Sequence, residues 1–137
     1  MVIVTGANGF IGSALVWELN QTKFAIFSNF AKIAAVDTIT SLERPFPLKK
    51  RKISWFFHKD HLWDFLNLPS TIDQTTWVFH MGANSSTTET NWNQLYENNT
   101  FYTQRIFEWC AKYSKSLIYA SSAATYGEGN LGFNDET

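Results

Sequence analysis

Short apolar runs alternate, along this chain of 137 residues, with stretches in which apolar residues recur at helical spacing. Five of the runs are rich in β-branched or aromatic residues, which is typical of buried strands. These predicted strands are Val2–Thr5, Ile33–Val36, Ile53–Phe57, Trp77–Met81 and Leu117–Ala120. Helical spacing predicts three helices, at about Phe10–Asn20, His61–Leu66 and Asn91–Tyr113.

This alternation indicates an α/β fold, in which right-handed crossovers cover both faces of a parallel sheet with helices. We predict one domain with a Rossmann-type doubly wound parallel sheet of about five strands, in the order 3-2-1-4-5. The segment Thr38–Lys52 contains two prolines and a basic run, so we expect a loop there. Ile11, Leu15 and Leu19 are predicted to share the buried face of the first helix. The predicted stripe of the last helix comprises Trp92, Leu95, Tyr102, Ile106 and Trp109.

Three glycines, Gly6, Gly9 and Gly12, separate the first predicted strand from the first helix. Gly6 permits a tight turn, Gly9 lacks a Cβ where a pyrophosphate approaches the backbone, and Gly12 lets the helix pack closely on the strand. Free N–H groups and the helix dipole favour a phosphate at a helix N-terminus. The spacing G-x-x-G-x-x-G differs from the dehydrogenase fingerprint. In its strand-to-helix context, it predicts dinucleotide binding rather than an ordinary turn.

Asp37 follows the second predicted strand, where a carboxylate can accept hydrogen bonds from both hydroxyls of an adenosine ribose. The alternative is a loop or capping aspartate. The basic residues that follow are Arg44, Lys49, Lys50, Arg51 and Lys52. A cation near the ribose would instead hold a 2′-phosphate, although most such runs are merely solvated.

Small and hydroxyl-bearing residues follow the fourth and fifth predicted strands. Gly82 and Ala83 would let a cofactor lie against the backbone, and Ser85–Thr88 would either contact it or cap a helix. A hydroxyl of Ser121 or Ser122 would hydrogen-bond a substrate oxygen during hydride transfer. No Gly-x-Ser-x-Gly elbow surrounds these serines, which argues against acyl transfer.

Charge and composition exclude several classes of partner. The net charge of −1 gives no indication of nucleic-acid binding, and no apolar run reaches membrane-spanning length. The single cysteine, Cys110, cannot form an internal disulfide, so we expect a cytoplasmic protein with Cys110 in its core. His58, His61 and His80 lack a metal-ligand pattern and are expected to have surface or structural roles, so no metal site is predicted.

Three segments resemble the ADP-L-glycero-D-manno-heptose 6-epimerases of the extended short-chain dehydrogenase/reductase superfamily. They are Phe79-His-Met-Gly-Ala-Asn-Ser-Ser-Thr-Thr-Glu89, Tyr96-Glu-Asn-Asn99 and Tyr119-Ala-Ser-Ser-Ala-Ala-Thr-Tyr-Gly127. The resemblance covers most of the chain and is weak between Gln21 and Thr76. It implies a homo-oligomeric isomerase that interconverts the C6 epimers of ADP-heptose, a lipopolysaccharide inner-core precursor. Bound NADP, or alternatively NAD, would take a hydride and return it.

The resemblance also implies roles for individual residues. Ser122 would be the catalytic serine, and Asp37 and Thr38 would hold the adenosine ribose. Arg44 and Lys59 would be basic cofactor contacts. The other cofactor contacts implied by position are Gly6, Gly9, Phe10, Ile11, Gly12, Met81, Gly82, Ala83, Asn84, Ser85, Asn98 and Asn99.

One departure concerns the catalytic base. No tyrosine of this chain has a lysine four residues later, so the family's Tyr-x-x-x-Lys pair is absent, as is its sugar-binding domain. The chain is therefore expected to be the N-terminal NAD(P)-binding part of such an enzyme, truncated before that pair, with an incomplete sheet and no activity alone. The alternatives are part of a UDP-sugar 4-epimerase or a sugar-nucleotide dehydratase, or a non-catalytic truncated product.

Overall fold

The computed structural model describes residues 1–21, 32–38, 47–83 and 90–134. In these residues, five strands form one sheet in the order β3-β2-β1-β4-β5, and all neighbouring strands are parallel. The strands are β1 (Val2–Thr5), β2 (Ile33–Asp37), β3 (Trp55–His58), β4 (Trp77–His80) and β5 (Ser116–Tyr119). The predicted fold class and strand order are confirmed.

Helices cover both faces of this sheet. They are α1 (Phe10–Asn20), α2 (Leu62–Leu66), α3 (Pro69–Gln74), α4 (Trp92–Leu95) and α5 (Tyr102–Lys112). A π-helical turn, Tyr96–Phe101, joins α4 to α5, so the predicted last helix is continuous but irregular. The sequence pattern does not predict α3. This helix begins at Pro69, because proline, which lacks a backbone N–H, fits the first helical position, where that N–H is not needed. No helix of the described ranges is long and apolar enough to cross a membrane.

Alternate residues of the central strand β1 enter two separate cores. Val2 and Val4 pack with Val16 and Leu19 of α1 on one face. Ile3 packs on the other face, against a cluster whose helical members are Leu62, Leu66, Ile106 and Cys110. Because both faces are covered, the carboxyl edge of the sheet is the side on which the strand ends are accessible.

The predicted burial of two helical residues is wrong. Ile11 is 63% exposed, because its neighbour Gly12 faces the turn between β1 and α1, and Ile11 is therefore on a different side of the helix. Trp92 is 82% exposed, whereas Ile106 further along the same helical segment is buried as expected. The inward stripe of α1 is therefore made by its buried residues Gly12, Ser13, Val16 and Leu19.

Cys110 lies in the core, as predicted, and burial raises the pKa of its thiol to about 11. Because the thiolate is the reactive form, we expect the folded protein to react with a thiol reagent at pH 8 on the order of 100-fold more slowly than the urea-unfolded protein. Absorbance of the released thiol product measures both rates. Equal rates in the two states would contradict this placement of Cys110.

Candidate functional site

The turn between β1 and α1 places the three predicted glycines at the carboxyl edge of the sheet. Gly6 has a φ of +63°, and a Cβ there would lie 2.6 Å from the backbone nitrogen of Gly82. A Cβ at Gly12 would overlap the carbonyl oxygen of Gly6. A Cβ at Gly9 would meet only that same oxygen, at 3.2 Å. Packing therefore requires Gly6 and Gly12, while the outer side of Gly9 is open.

The N-terminus of α1 is uncapped at this turn. Gly9 is its N-cap and supplies no side-chain hydrogen bond. The first intrahelical bond runs from the Ser13 N–H to the Gly9 carbonyl at 2.9 Å, so the N–H groups of residues 10–12 precede the helical ladder. Phe10 is 93% exposed and Ile11 is largely exposed. This end of α1 can therefore donate backbone hydrogen bonds to an anion.

Asp37, at the end of β2, is joined to the glycine turn. Its Oδ2 accepts a hydrogen bond from the Asn8 N–H at 2.8 Å, and its Oδ1 accepts one from the Thr38 N–H at 2.7 Å. The Thr38 hydroxyl also donates to Oδ1, at 3.2 Å. Sequence reasoning overlooked Asn8, whose Oδ1 is buried and has no hydrogen-bond partner among the described residues. The position of Asn8 inside the glycine turn is the sequence feature that could have identified it.

Lys59 and Asn98, predicted from distant parts of the chain, are brought together. Lys59 follows His58, which is in register with Asp37, and its ammonium group donates to the Asn98 Oδ1. The ammonium nitrogen also lies 5.5 Å from the ring centroid of Tyr102. The Tyr102 hydroxyl donates to the Lys59 carbonyl at 3.0 Å, and burial raises the pKa of this phenol. Lys59 is thus held between β3 and the π-helical turn that carries Asn98.

The exit of β4 lies directly beside the glycine turn. The Gly82 N–H donates to the Thr5 Oγ1 at 3.2 Å, and the Met81 N–H donates to the Thr5 carbonyl at 3.2 Å. Sequence reasoning overlooked Thr5, because it is the last residue of an apolar strand and resembles its buried neighbours. Ala83 follows Gly82 and is exposed at this edge.

Ser122 lies beyond the end of β5, at the same edge. The N–H of Ala120, two residues earlier, donates to the His80 carbonyl at 3.0 Å. Ser122 is exposed and is the N-cap of the 3-10 turn Ala123–Tyr126, its Oγ accepting the Ala124 N–H at 3.1 Å. Its hydroxyl therefore serves as a cap and is also accessible from solvent.

Other predicted contacts are either elsewhere or outside the described residues. Arg44, Asn84 and Ser85 lie outside them, as do the other residues of the Ser85–Thr88 cluster. Of the basic run, Arg51 donates to the Ser13 carbonyl at 3.2 Å, and Lys52 exchanges backbone hydrogen bonds with the side chain of Asn20. The Arg51 side chain and the Lys52 backbone therefore lie along α1. Within the described ranges, no group of three His, Cys, Asp or Glu side chains is arranged to hold a metal ion.

The fold and this edge define a Rossmann-type α/β protein with a glycine-rich turn at the point where the strand order reverses. The chain belongs to the NAD dependent epimerase/dehydratase family, whose model matches residues 2–137. It is 41% identical, over 136 residues, to ADP-L-glycero-D-manno-heptose-6-epimerase from Fusobacterium nucleatum. That match covers 99% of this chain and 39% of the relative, so the chain spans about two fifths of the relative's length.

Solved structures give the same result for the fold. The Helicobacter pylori ADP-L-glycero-D-manno-heptose-6-epimerase superposes with a TM-score of 0.56 at 25% identity, covering 92% of this chain and 40% of that one. The PbgP3 protein from Burkholderia pseudomallei superposes with a TM-score of 0.72 at 21% identity, covering 99% and 39%. The second likeness concerns the fold alone.

Proposed function

We propose that this chain is the NAD(P)-binding, N-terminal part of a nucleotide-sugar epimerase that interconverts the C6 epimers of ADP-heptose. The observation that carries the proposal is the uncapped N-terminus of α1, whose glycine turn adjoins both Asp37 and Gly82. The 41% identity to the Fusobacterium nucleatum epimerase supports the choice of sugar nucleotide. The proposed setting is lipopolysaccharide precursor synthesis in the cytoplasm, and the proposed assembly of the whole enzyme is a homo-oligomer.

The residues at the edge fit an adenine dinucleotide. The N–H groups of Phe10, Ile11 and Gly12 would hold the pyrophosphate, with Gly9 providing the open backbone beside it. Asp37 would accept hydrogen bonds from the ribose hydroxyls, because its carboxylate lies at the end of β2 beside the glycine turn, where it accepts the Asn8 N–H. The remaining proposed contacts are Thr38, Arg44, Lys59, Met81, Gly82, Ala83, Asn84, Ser85, Asn98 and Asn99.

NADP bound at this edge would supply reversible hydride transfer from and to the substrate carbon. Ser122 would then orient the reacting oxygen by donating its hydroxyl hydrogen, which its cap bond to Ala124 leaves available. A serine hydroxyl is too weak a base to take the proton, and no Tyr-x-x-x-Lys pair occurs in these 137 residues. We therefore propose that these residues bind the cofactor but do not catalyse epimerisation alone.

Gly9→Ala tests the proposed cofactor site. The added Cβ would lie 3.2 Å from the Gly6 carbonyl oxygen, a tight contact that a shift of a few tenths of an ångström relieves, so we expect the variant to fold, while its methyl group would occupy the approach path of the pyrophosphate. We expect the Kd for NADP, measured by calorimetric titration, to rise roughly tenfold or more. Gly132→Ala is the control: its φ of +84° makes alanine strained there, but the Cβ would meet nothing within 4 Å, and NADP should bind as it does to the wild type. Unchanged affinity in a folded Gly9→Ala protein would rule out a pyrophosphate at this turn.

We propose NADP rather than NAD as the preferred cofactor, on the strength of Lys59. Asp37 disfavours a 2′-phosphate, but an exposed charge pair contributes only about 0–1 kcal/mol, so a nearby cation offsets it. Lys59→Met should weaken NADP binding more than NAD binding, and NADP affinity should fall more steeply with salt. Lys112→Met is a matched control, because Lys112 also lies over a tyrosine ring, at 5.1 Å. Tighter NAD binding at every salt concentration would contradict the preference.

A further inference from the structure

A chain of buried and partly buried hydrogen bonds runs beneath the glycine turn and reaches the last helix. Thr5 and His80 are 2% and 3% exposed. The Thr5 Oγ1 lies 2.5 Å from the His80 Nδ1, and the His80 Nε2 lies 2.8 Å from the Thr103 Oγ1. At its other end, the Thr5 Oγ1 accepts the Gly82 N–H at 3.2 Å. We call the series Gly82–Thr5–His80–Thr103 the histidine relay.

The donors and acceptors of the relay select one form of His80. Thr5 has a single hydroxyl hydrogen, and its oxygen already accepts the Gly82 N–H. If Nδ1 carried a proton, the Thr5 hydroxyl hydrogen would have no acceptor among the described residues. If Nδ1 is unprotonated, the Thr5 hydroxyl donates to it, and the Nε2–H donates to the Thr103 Oγ1. Of the two neutral tautomers, only the Nε2–H form gives the hydroxyl hydrogen of the buried Thr5 an acceptor, whereas Thr103 is half-buried and its hydroxyl hydrogen can reach solvent.

The relay ends where two turns of the site touch. A Cβ at Gly6 would lie 2.6 Å from the Gly82 nitrogen and 2.7 Å from the Gly82 Cα. Thr5 precedes Gly6 in the main chain, and its side chain accepts the Gly82 N–H. One residue therefore fixes the position of both turns. Thr103, at the far end, follows the π-helical turn Tyr96–Phe101, which carries Asn98.

We propose that His80 is a positioning residue of the dinucleotide site, fixed as the neutral Nε2–H tautomer, and that it sets Gly82 against the glycine turn and couples both to the segment bearing Asn98. That the ligand is a dinucleotide rests on the proposed function. The histidine relay itself rests on the hydrogen-bond distances given above. His80 touches no ligand in this arrangement and acts through Thr5.

The surroundings of His80 keep it neutral. Desolvation by burial lowers its pKa to about 4, with no contribution from a charged neighbour in the described residues. The titratable group packed against it is the phenol of Tyr102, with ring centroids 5.8 Å apart, and burial raises the pKa of that phenol. Both rings are therefore uncharged near neutral pH, as the relay requires.

The first experiment examines the relay without any ligand. Long-range ¹H–¹⁵N correlation spectra of the wild-type protein should show His80 as the Nε2–H tautomer, and hydrogen exchange should show a protected Gly82 amide. Thr5→Val removes both bonds of the Thr5 hydroxyl, so the Gly82 amide should lose protection, whereas Thr5→Ser should keep it. An Nδ1–H tautomer in the wild type would overturn the relay, whether or not any variant folds.

The second experiment titrates the same proteins with NADP and with NAD. We expect Thr5→Val to raise the Kd roughly tenfold, because an unsatisfied buried group displaces Gly82, and Thr5→Ser to restore the wild-type value. Equal affinities in folded Thr5→Val and Thr5→Ser would overturn the positioning role. If the wild type binds neither dinucleotide, the proposed function fails and the positioning role fails with it, while the tautomer still decides whether the relay exists.

Discussion

Gly6→Ala should lower the melting temperature of the protein far more than Gly127→Ala does. Both glycines have a positive φ, +63° and +58°, so alanine suffers backbone strain at each, and at Gly127 the exposed end of the 3-10 turn can shift to relieve it. Only at Gly6 does the new Cβ meet backbone atoms, 2.6–2.7 Å away, whereas at Gly127 nothing lies within 4 Å. Overpacking against rigid backbone adds about 1–3 kcal/mol.

Thermal unfolding followed by circular dichroism measures the difference. For a domain of this size, the added cost corresponds to a Tm for Gly6→Ala roughly 5–15 °C below that of Gly127→Ala. Because the clash also pushes Gly82 away from the turn, dinucleotide binding should weaken in the Gly6→Ala protein that remains folded. Equal melting temperatures for the two variants would show that β1 and β4 do not approach each other as closely as the structure indicates.

Acid should destabilise the protein through His80 as the pH falls from 6.5 to about 4. The pKa of His80 is lowered from 6.5 to about 4 by burial, so the unfolded chain binds a proton between these values and the folded protein does not. The free energy of unfolding is unaffected by His80 above pH 6.5, falls as the pH is lowered below it, and levels off below about pH 4. The total loss is about 3 kcal/mol.

Urea unfolding at a series of pH values, compared with His80→Asn, isolates this contribution. The two exposed or half-exposed histidines, His58 and His61, are present in both proteins, so their contributions cancel. The wild type should lose stability relative to the variant as the pH falls from 6.5 to 4. If the two curves stay parallel over this interval, His80 is accessible to protons in the folded state and the desolvation argument is wrong.

The sheet was predictable because its local and global signals agree. Each apolar run is short, rich in β-branched or aromatic residues and followed by a polar or glycine-rich segment, which fixes strand positions to within one or two residues. The glycines of the first turn indicated the switch point, and the order 3-2-1-4-5 followed from parallel topology. The helix α3 was not predicted, because its six residues, Pro69–Gln74, are too few to show a recurring apolar spacing.

The site was predictable only where it depends on chain position. Gly6 lies against both Gly12 and Gly82, and Asp37 reaches the glycine turn through Asn8. The buried polar contacts were not predictable, since His80 was expected to be structural without a partner being named. Its partners Thr5 and Thr103 are separated from it by 75 and 23 residues, and hydrogen bonding over such separations leaves no periodic trace in a sequence.

Because of the π-helical turn Tyr96–Phe101, the residues before the turn and those after it cannot be projected on a single helical wheel. A regular helix advances about 100° per residue, so the extra residue in this turn offsets every position before it relative to α5. Extrapolating the buried stripe of Ile106 backwards therefore points to Trp92, which is in fact 82% exposed. The buried face must therefore be assigned separately for α4 and for α5. Deletion of one residue within the π-helical turn would give a regular α-helix in which α4 and α5 keep their present buried faces.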